Sequence, residues 1–220
     1  MDLESKYVSH AKKCVENAEA RISKLSQEIL DMDGLSGYST RHLYNNLLDI
    51  EDARYLEIGT WKGSSVCSAM FGHSAKVVCI DNWSELGAPK SEFLVNFDKF
   101  KGANDATFME CDCFTLDVST LPKFNLYMYD GNHEEACHYK AIDHYYDCLD
   151  DVFIFVVDDW NWNFVRKGTM DAIRDRKLEI LYNHNVRTTN DNSHPKWGVP
   201  LQKQWHNGMF IAVLKKTNSQ

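Results

Sequence analysis

Features that mark membrane, secreted and nucleic-acid-binding chains are missing from these 220 residues. No apolar run approaches the roughly 18 to 20 residues that a membrane span requires. The N-terminal stretch MDLESKYVSHAKKC is charged throughout and lacks the apolar centre of a secretory signal, so a cytoplasmic setting is expected. Seven cysteines, at positions 14, 67, 79, 111, 113, 137 and 148, make an odd set without a CxxC pair, and reduced thiols are expected. Positive charge is not in excess either: the formal net charge of −8 argues against affinity gained by neutralising nucleic-acid phosphates. Internal repeats, low-complexity segments and domain linkers are also lacking. The remainder, 44% hydrophobic and 25% charged, suits one α/β domain with a substantial core. The partners this leaves are small molecules or neutral glycans, with no nucleic acid and no membrane.

Apolar residues Tyr7, Ala11, Val15, Ala18, Ile22, Leu25 and Ile29 recur every three to four positions, which predicts one long amphipathic helix over 5–31. That helix, in an N-terminal segment 1–33, packs on the domain formed by 34–220 or supports a homo-oligomer. The stretch DGLSGYST breaks the pattern, and Ser39 or Thr40 is placed to cap a second helix through Leu43, Leu47 and Leu48. Apolar, β-branched or aromatic runs then recur at 55–58, 77–80, 107–109, 126–129 and 153–157, most of them separated by helix-like stretches such as 64–70, 92–100 and 134–148. Strands alternating with helices predict a parallel sheet covered on both faces. Runs at 178–182 and 209–214 predict a final antiparallel pair.

In such a sheet the ligand sits beyond the carboxyl ends of the strands, and those ends are polar here. YLEIGTWKGSS puts Glu57, Gly59, Thr60, Gly63 and Ser64 on a strand-to-helix turn, where glycines permit close backbone approach and the helix start offers free N–H groups. The spacing is E-x-G-x-x-x-G. Asp81 ends the second strand about 20 residues later, placed for both ribose hydroxyls or, alternatively, as a helix cap. Asp112 ends the third, where it meets an adenine amino group or merely a solvated turn.

These residues resemble a class I S-adenosylmethionine-dependent methyltransferase over roughly residues 34–214. The resemblance implies a Rossmann-like, doubly wound sheet of seven strands, mostly parallel with an antiparallel C-terminal strand, and S-adenosylmethionine as cofactor. It places Glu57, Gly59 and Gly63 against the methionine part, Asp81 at the ribose and Asp112 beside the adenine, with Trp83 near the nucleoside and Tyr38 and Ser39 closing over it.

The segment FNLYMYDGNHEEACHY looks at first like a histidine metal motif, but His133 and His138 are five apart, roughly 140° around a helix, and do not face one ion. Asp130 and the pair Asp158–Asp159 end the fourth and fifth strands instead. Three carboxylates at one pocket edge need protons or a cation, and all-oxygen donors favour Mg²⁺, with Mn²⁺ or Ca²⁺ as alternatives. Successive strand residues point to opposite faces, so Asp158 and Asp159 meet only if the chain has already turned. The pattern resembles the metal-dependent sugar O-methyltransferases of macrolide and aminocoumarin tailoring. That resemblance makes Asp130, Asp158 and Asp159 the metal ligands and, because Asn132 takes no proton, His133 the general base. Glu134, Glu135 and His138 are left on the helix surface. On the acceptor side, Trp160, Asn161 and Trp162 after the acidic pair, and His194, Trp197, Gln202, Trp205 and His206 in the last loop, suit a sugar whose C–H faces pack on rings. A catechol-like acceptor and a non-catalytic nucleotide-binding or oligomerising module are the rival expectations.

Overall fold

Why these residues form a two-faced sheet is legible in the strand interiors. A computed structural model describes residues 2–85, 87, 89–196 and 204–217. In strand β1 (Arg54–Ile58), Tyr55 joins one apolar core while Leu56 and Ile58 join another on the opposite face. The same alternation recurs in β4 (Phe124–Tyr129), where Leu126 and Met128 face one core and Tyr127 and Tyr129 the other. Burying a side chain of this size removes enough apolar surface to contribute about 1.5–3 kcal/mol.

The remaining strands are β2 (Lys76–Asp81), β3 (Asp105–Glu110), β5 (Leu149–Asp158), β6 (Leu178–Val186) and β7 (Met209–Lys216). They form one sheet in the order β3-β2-β1-β4-β5-β7-β6. β1 pairs in parallel with β2 and β4, β2 with β3 and β4 with β5, whereas β7 runs antiparallel between β5 and β6. Helices α1 (Leu3–Glu19), α3 (Tyr38–Leu47), α4 (Ser64–Met70) and α5 (Lys90–Phe100) cover one face; α6 (Glu135–Tyr145) and α7 (Asn163–Asp175) cover the other. The sheet is the doubly wound, seven-stranded one expected, with its topological switch point between the paired strands β1 and β4. No helix of the described residues is long and apolar enough to cross a membrane.

Two expectations fail locally. The long N-terminal helix ends at Glu19, because Arg21 adopts a left-handed φ of 56°, and only a short turn, α2 (Gln27–Leu30), follows. Ile22 is accordingly 58% exposed, although Tyr7, Ala11, Val15 and Ala18 do pack into the domain core. Tyr7 Oη also accepts a hydrogen bond from Asn125 at 3.0 Å, tying α1 to β4. Helix α3 starts at Tyr38 with Gly37 as its cap, so neither Ser39 nor Thr40 caps it. Gly37 is required there because a Cβ would meet the Gln204 carbonyl oxygen at 2.2 Å.

Candidate active site

The turn after β1 is shaped by its neighbours on both sides. Gly59 has φ +84°, donates its N–H to Ile80 and presses so close to β4 that a Cβ would meet the Asp130 carbonyl oxygen at 1.9 Å. Gly63, at φ +89°, opens α4. Asp81 then braces the turn: its Oδ2 accepts the N–H groups of Thr60 at 2.7 Å and Trp61 at 2.8 Å, and its Oδ1 accepts that of Trp83 at 2.7 Å. One carboxylate thus fixes two loops, and Oδ1 keeps acceptor capacity for a ligand hydroxyl. Trp83 Nε1 donates to the Trp61 carbonyl at 2.9 Å, while its ring packs edge-on against Phe93.

Glu57 lies underneath rather than in the opening. Fully buried, it accepts hydrogen bonds from Tyr55 Oη and Ser65 Oγ, both at 2.6 Å. Burial pushes its carboxyl up to about 8, against those two hydrogen bonds. It is a support for the glycine turn and does not line the cleft.

That cleft, of about 630 Å³, runs along the carboxyl ends of β1, β2, β4 and β5. Gly59, Thr60, Ser64, Asp81, Trp83 and Asp112 line one end; Asp130, His133, Asp158, Asp159, His194 and His206 line the other. Its size is that of a small-molecule site. Asp112 turns its Oδ1 to the Phe114 N–H at 2.9 Å and leaves the loop exposed at the cleft rim.

At the acidic end, a backbone irregularity decides the geometry. β5 ends at Asp158, and Asp159 adopts φ 58°, so the chain has turned and the two carboxylates share the strand end instead of opposite faces. Asp159 N donates to Asp158 Oδ1 at 2.8 Å, and Asn207 Nδ2 donates to Asp159 Oδ1 at 2.7 Å. His133 Nε2 stands 2.6 Å from Asp159 Oδ2 and 3.6 Å from Asp130 Oδ1. Its Nδ1 faces Glu85 at 3.9 Å, and Glu85 also accepts a hydrogen bond from Asn132.

The charges follow from this packing. Burial pushes Asp130 up to about 6 and Asp158 well above the usual carboxylate range. Burial also pushes Asp159 up, but the bonds from His133 and Asn207 outweigh it and hold that carboxyl low. For His133, burial opposes the charged form, yet Asp130 and Asp159 overcome it and raise the imidazole to about 11. Among the described residues no lysine or arginine lies within ion-pair distance of these three aspartates. Three carboxylates beside the imidazoles of His133 and His206 suit a divalent cation. Ligand atoms of Asp130, His133 and Asp159 lie within 4.8 Å of one another, as do those of Asp158, Asp159 and His206.

Several expected contacts fall elsewhere. Tyr38 and Ser39 stay outside the cleft, Ser39 Oγ donating to Gln204 at 3.0 Å; Leu35 and Ser36 line the opening instead. Trp160 stacks on Phe210 with ring centroids 4.3 Å apart and belongs to the core. Asn161, wholly buried, ties Asn207 to Thr188, and Trp205 is core on the other face. Trp162, two residues further on, reaches the cleft and meets His133 edge-on at 5.2 Å. His138 is not a surface residue: it is 1% exposed, its ring against Tyr129 at 5.0 Å, because α7 approaches closely at Gly168. Trp197 and Gln202 lie outside the described residues. Glu85, Phe114 and Tyr44 were missed; they line the cleft from irregular loops or from α3, where no strand-end rule points.

No protein-family model matches this chain, and no curated protein matches it. Solved structures do match. The fold is shared with solved methyltransferase structures. TrmN from Thermus thermophilus superposes with a TM-score of 0.58 at 13% identity, over 86% of this chain and 52% of that one. The chain thus spans about half the length of that relative. An O-methyltransferase from Bacillus cereus in complex with SAH gives 0.58 at 11% identity, over 94% and 91% of the two chains. An SAH-bound methyltransferase from Podospora anserina, PaMTH1, gives 0.58 at 13% identity, over 95% and 88%.

Proposed function

We propose that the chain is an S-adenosylmethionine-dependent O-methyltransferase that uses a divalent cation and acts on a sugar hydroxyl. The observation that carries this reading is the continuity of one cleft from the Asp81-braced glycine turn to the Asp130, Asp158 and Asp159 carboxylates. The SAH complexes of the Bacillus and Podospora proteins support the cofactor, and three clustered carboxylates with no lysine or arginine at ion-pair distance among the described residues support the cation.

In this mechanism Asp81 Oδ1 takes a ribose hydroxyl, Trp83 and the loop from Asp112 to Phe114 flank the base, and Gly59 and Thr60 let the methionine part approach the backbone. S-adenosylmethionine supplies a methyl group activated on a sulfonium. Asp130, Asp158 and Asp159 would hold Mg²⁺ or Mn²⁺, which lowers the pKa of a bound hydroxyl. His133 faces the cleft beside these carboxylates, whose charge holds its imidazole protonated; a cation on the carboxylates would offset that charge and free Nε2 to take the hydroxyl proton. Trp162, edge-on to His133, and His194 offer a ring face and a polar tip to the acceptor. Holding both reactants in register supplies much of the rate.

The test is a mass-spectrometric assay of methyl transfer to nucleotide sugars, deoxyhexosyl glycans and catechols. Methylation of a sugar hydroxyl, abolished by EDTA, is expected. Transfer to catechols alone would replace the acceptor class, and transfer unaffected by EDTA would remove the cation.

A further inference from the structure

His206 was expected to touch substrate, but it sits in one group with two of the carboxylates: its ring nitrogen and the oxygens of Asp158 and Asp159 lie within 4.8 Å of one another. The other group, Asp130 with Asp159, already holds an imidazole, since His133 Nε2 is 2.6 Å from Asp159. Asp158, by contrast, is 5% exposed, opens onto the cleft and has its Oδ1 bonded only to a backbone N–H, with no lysine or arginine at ion-pair distance among the described residues. A buried carboxylate so placed calls for a positive partner.

The loop that carries His206 is held firmly from several sides. Asn207 Nδ2 donates to Asp159 Oδ1 at 2.7 Å, and Asn161 N donates to the Asn207 carbonyl at 2.9 Å. Thr188 Oγ1 donates to the His206 carbonyl at 3.0 Å, and the ring packs edge-on against His194 at 5.2 Å. Gly208 follows at φ +89°, where a Cβ would meet the Val186 carbonyl oxygen at 2.6 Å. The residue beside the acidic pair is therefore positioned as rigidly as the pair itself.

We propose that His206 supplies a nitrogen ligand to the divalent ion, adding to the three aspartates and making the centre a mixed nitrogen–oxygen site in which Asp158, Asp159 and His206 stand together. The inference rests on the cation of the preceding section. An imidazole beside two carboxylates also favours Mn²⁺ and later first-row ions over Mg²⁺, whose preference is for oxygen alone.

Mn²⁺ added to the full chain tests this without any turnover. Electron paramagnetic resonance follows binding, and pulsed measurements read modulation from a coordinated nitrogen. The wild type is expected to bind Mn²⁺ with nitrogen modulation. His206→Gln is expected to lose the modulation and to bind roughly tenfold or more weakly, as loss of a metal-site residue does, whereas His133→Gln keeps the modulation. Bound Mn²⁺ without nitrogen modulation in the wild type, or modulation lost only in His133→Gln, would overturn the role of His206 and leave the carboxylate site standing. Absence of Mn²⁺ binding in the wild type would overturn the cation reading and this inference together.

Discussion

His133 Nε2 lies 2.6 Å from Asp159 Oδ2, across a strand end that only a left-handed residue at 159 makes possible. This pair joins the loop after β4 to the loop after β5, and Asp130 closes the arrangement at 3.6 Å. The imidazole reaches the cleft from the first loop while the carboxylates are offered by both.

Replacing His133 by alanine is expected to lower kcat by about a hundredfold to ten-thousandfold, the range for removing a positioned general base. The side chain is 26% exposed, so the fold should tolerate the change. Stopped assays across a pH series, with circular dichroism as the folding control, measure it; unchanged turnover at every pH would contradict the role.

Gly59→Ala should destabilise the chain by more than about 1 kcal/mol, because the backbone stands at φ +84° and the added methyl drives into the Asp130 carbonyl. Thermal melts report the loss. Since the clash is with the residue that opens the acidic end, metal affinity should fall along with the midpoint.

The strand ends were the readable part of this sequence. Asp81, Asp112, Asp130, Asp158 and Asp159 all line the cleft because alternating strands and helices fix which strand ends meet, and this depends on pattern rather than on detail. The left-handed Asp159 and Arg21 were not readable, since nothing in those side chains demands a positive φ; tertiary contacts impose it. Trp160 and Trp162 illustrate the same limit. Two residues apart and alike in type, one stacks in the core and the other reaches the cleft.

Stability should depend on pH through Glu57. Its folded-state carboxyl, about 8 against an ordinary 4.5, binds a proton more readily than in the unfolded chain. The stabilisation is full below about pH 4.5 and is lost as pH rises through about 8. Urea midpoints across that window should decline with pH in the wild type, and Glu57→Gln should flatten this part of the profile. An equal decline in the variant would assign the dependence to other groups.

Arg41 is a buried side chain whose role composition does not reveal. It donates to the carbonyls of Ile29 at 2.9 Å, Leu30 at 3.0 Å and Met32 at 2.8 Å, and to Ser36 Oγ at 3.0 Å. Those bonds hold the segment whose Leu35 and Ser36 cover the cleft. Arg41→Ala should cost about 3 kcal/mol or more, as loss of several charge-assisted hydrogen bonds does. Chemical denaturation measures the loss, and weaker retention of the cofactor product should accompany it.

Calorimetric titration with S-adenosylhomocysteine addresses the central claim most directly, because the Asp81-braced turn has no other assigned purpose. Saturable binding by the wild type is expected, lost in Asp81→Ala, which strips the acceptor from the N–H groups of Thr60, Trp61 and Trp83. No binding by the folded wild-type chain, with and without Mg²⁺, would contradict the methyltransferase reading altogether.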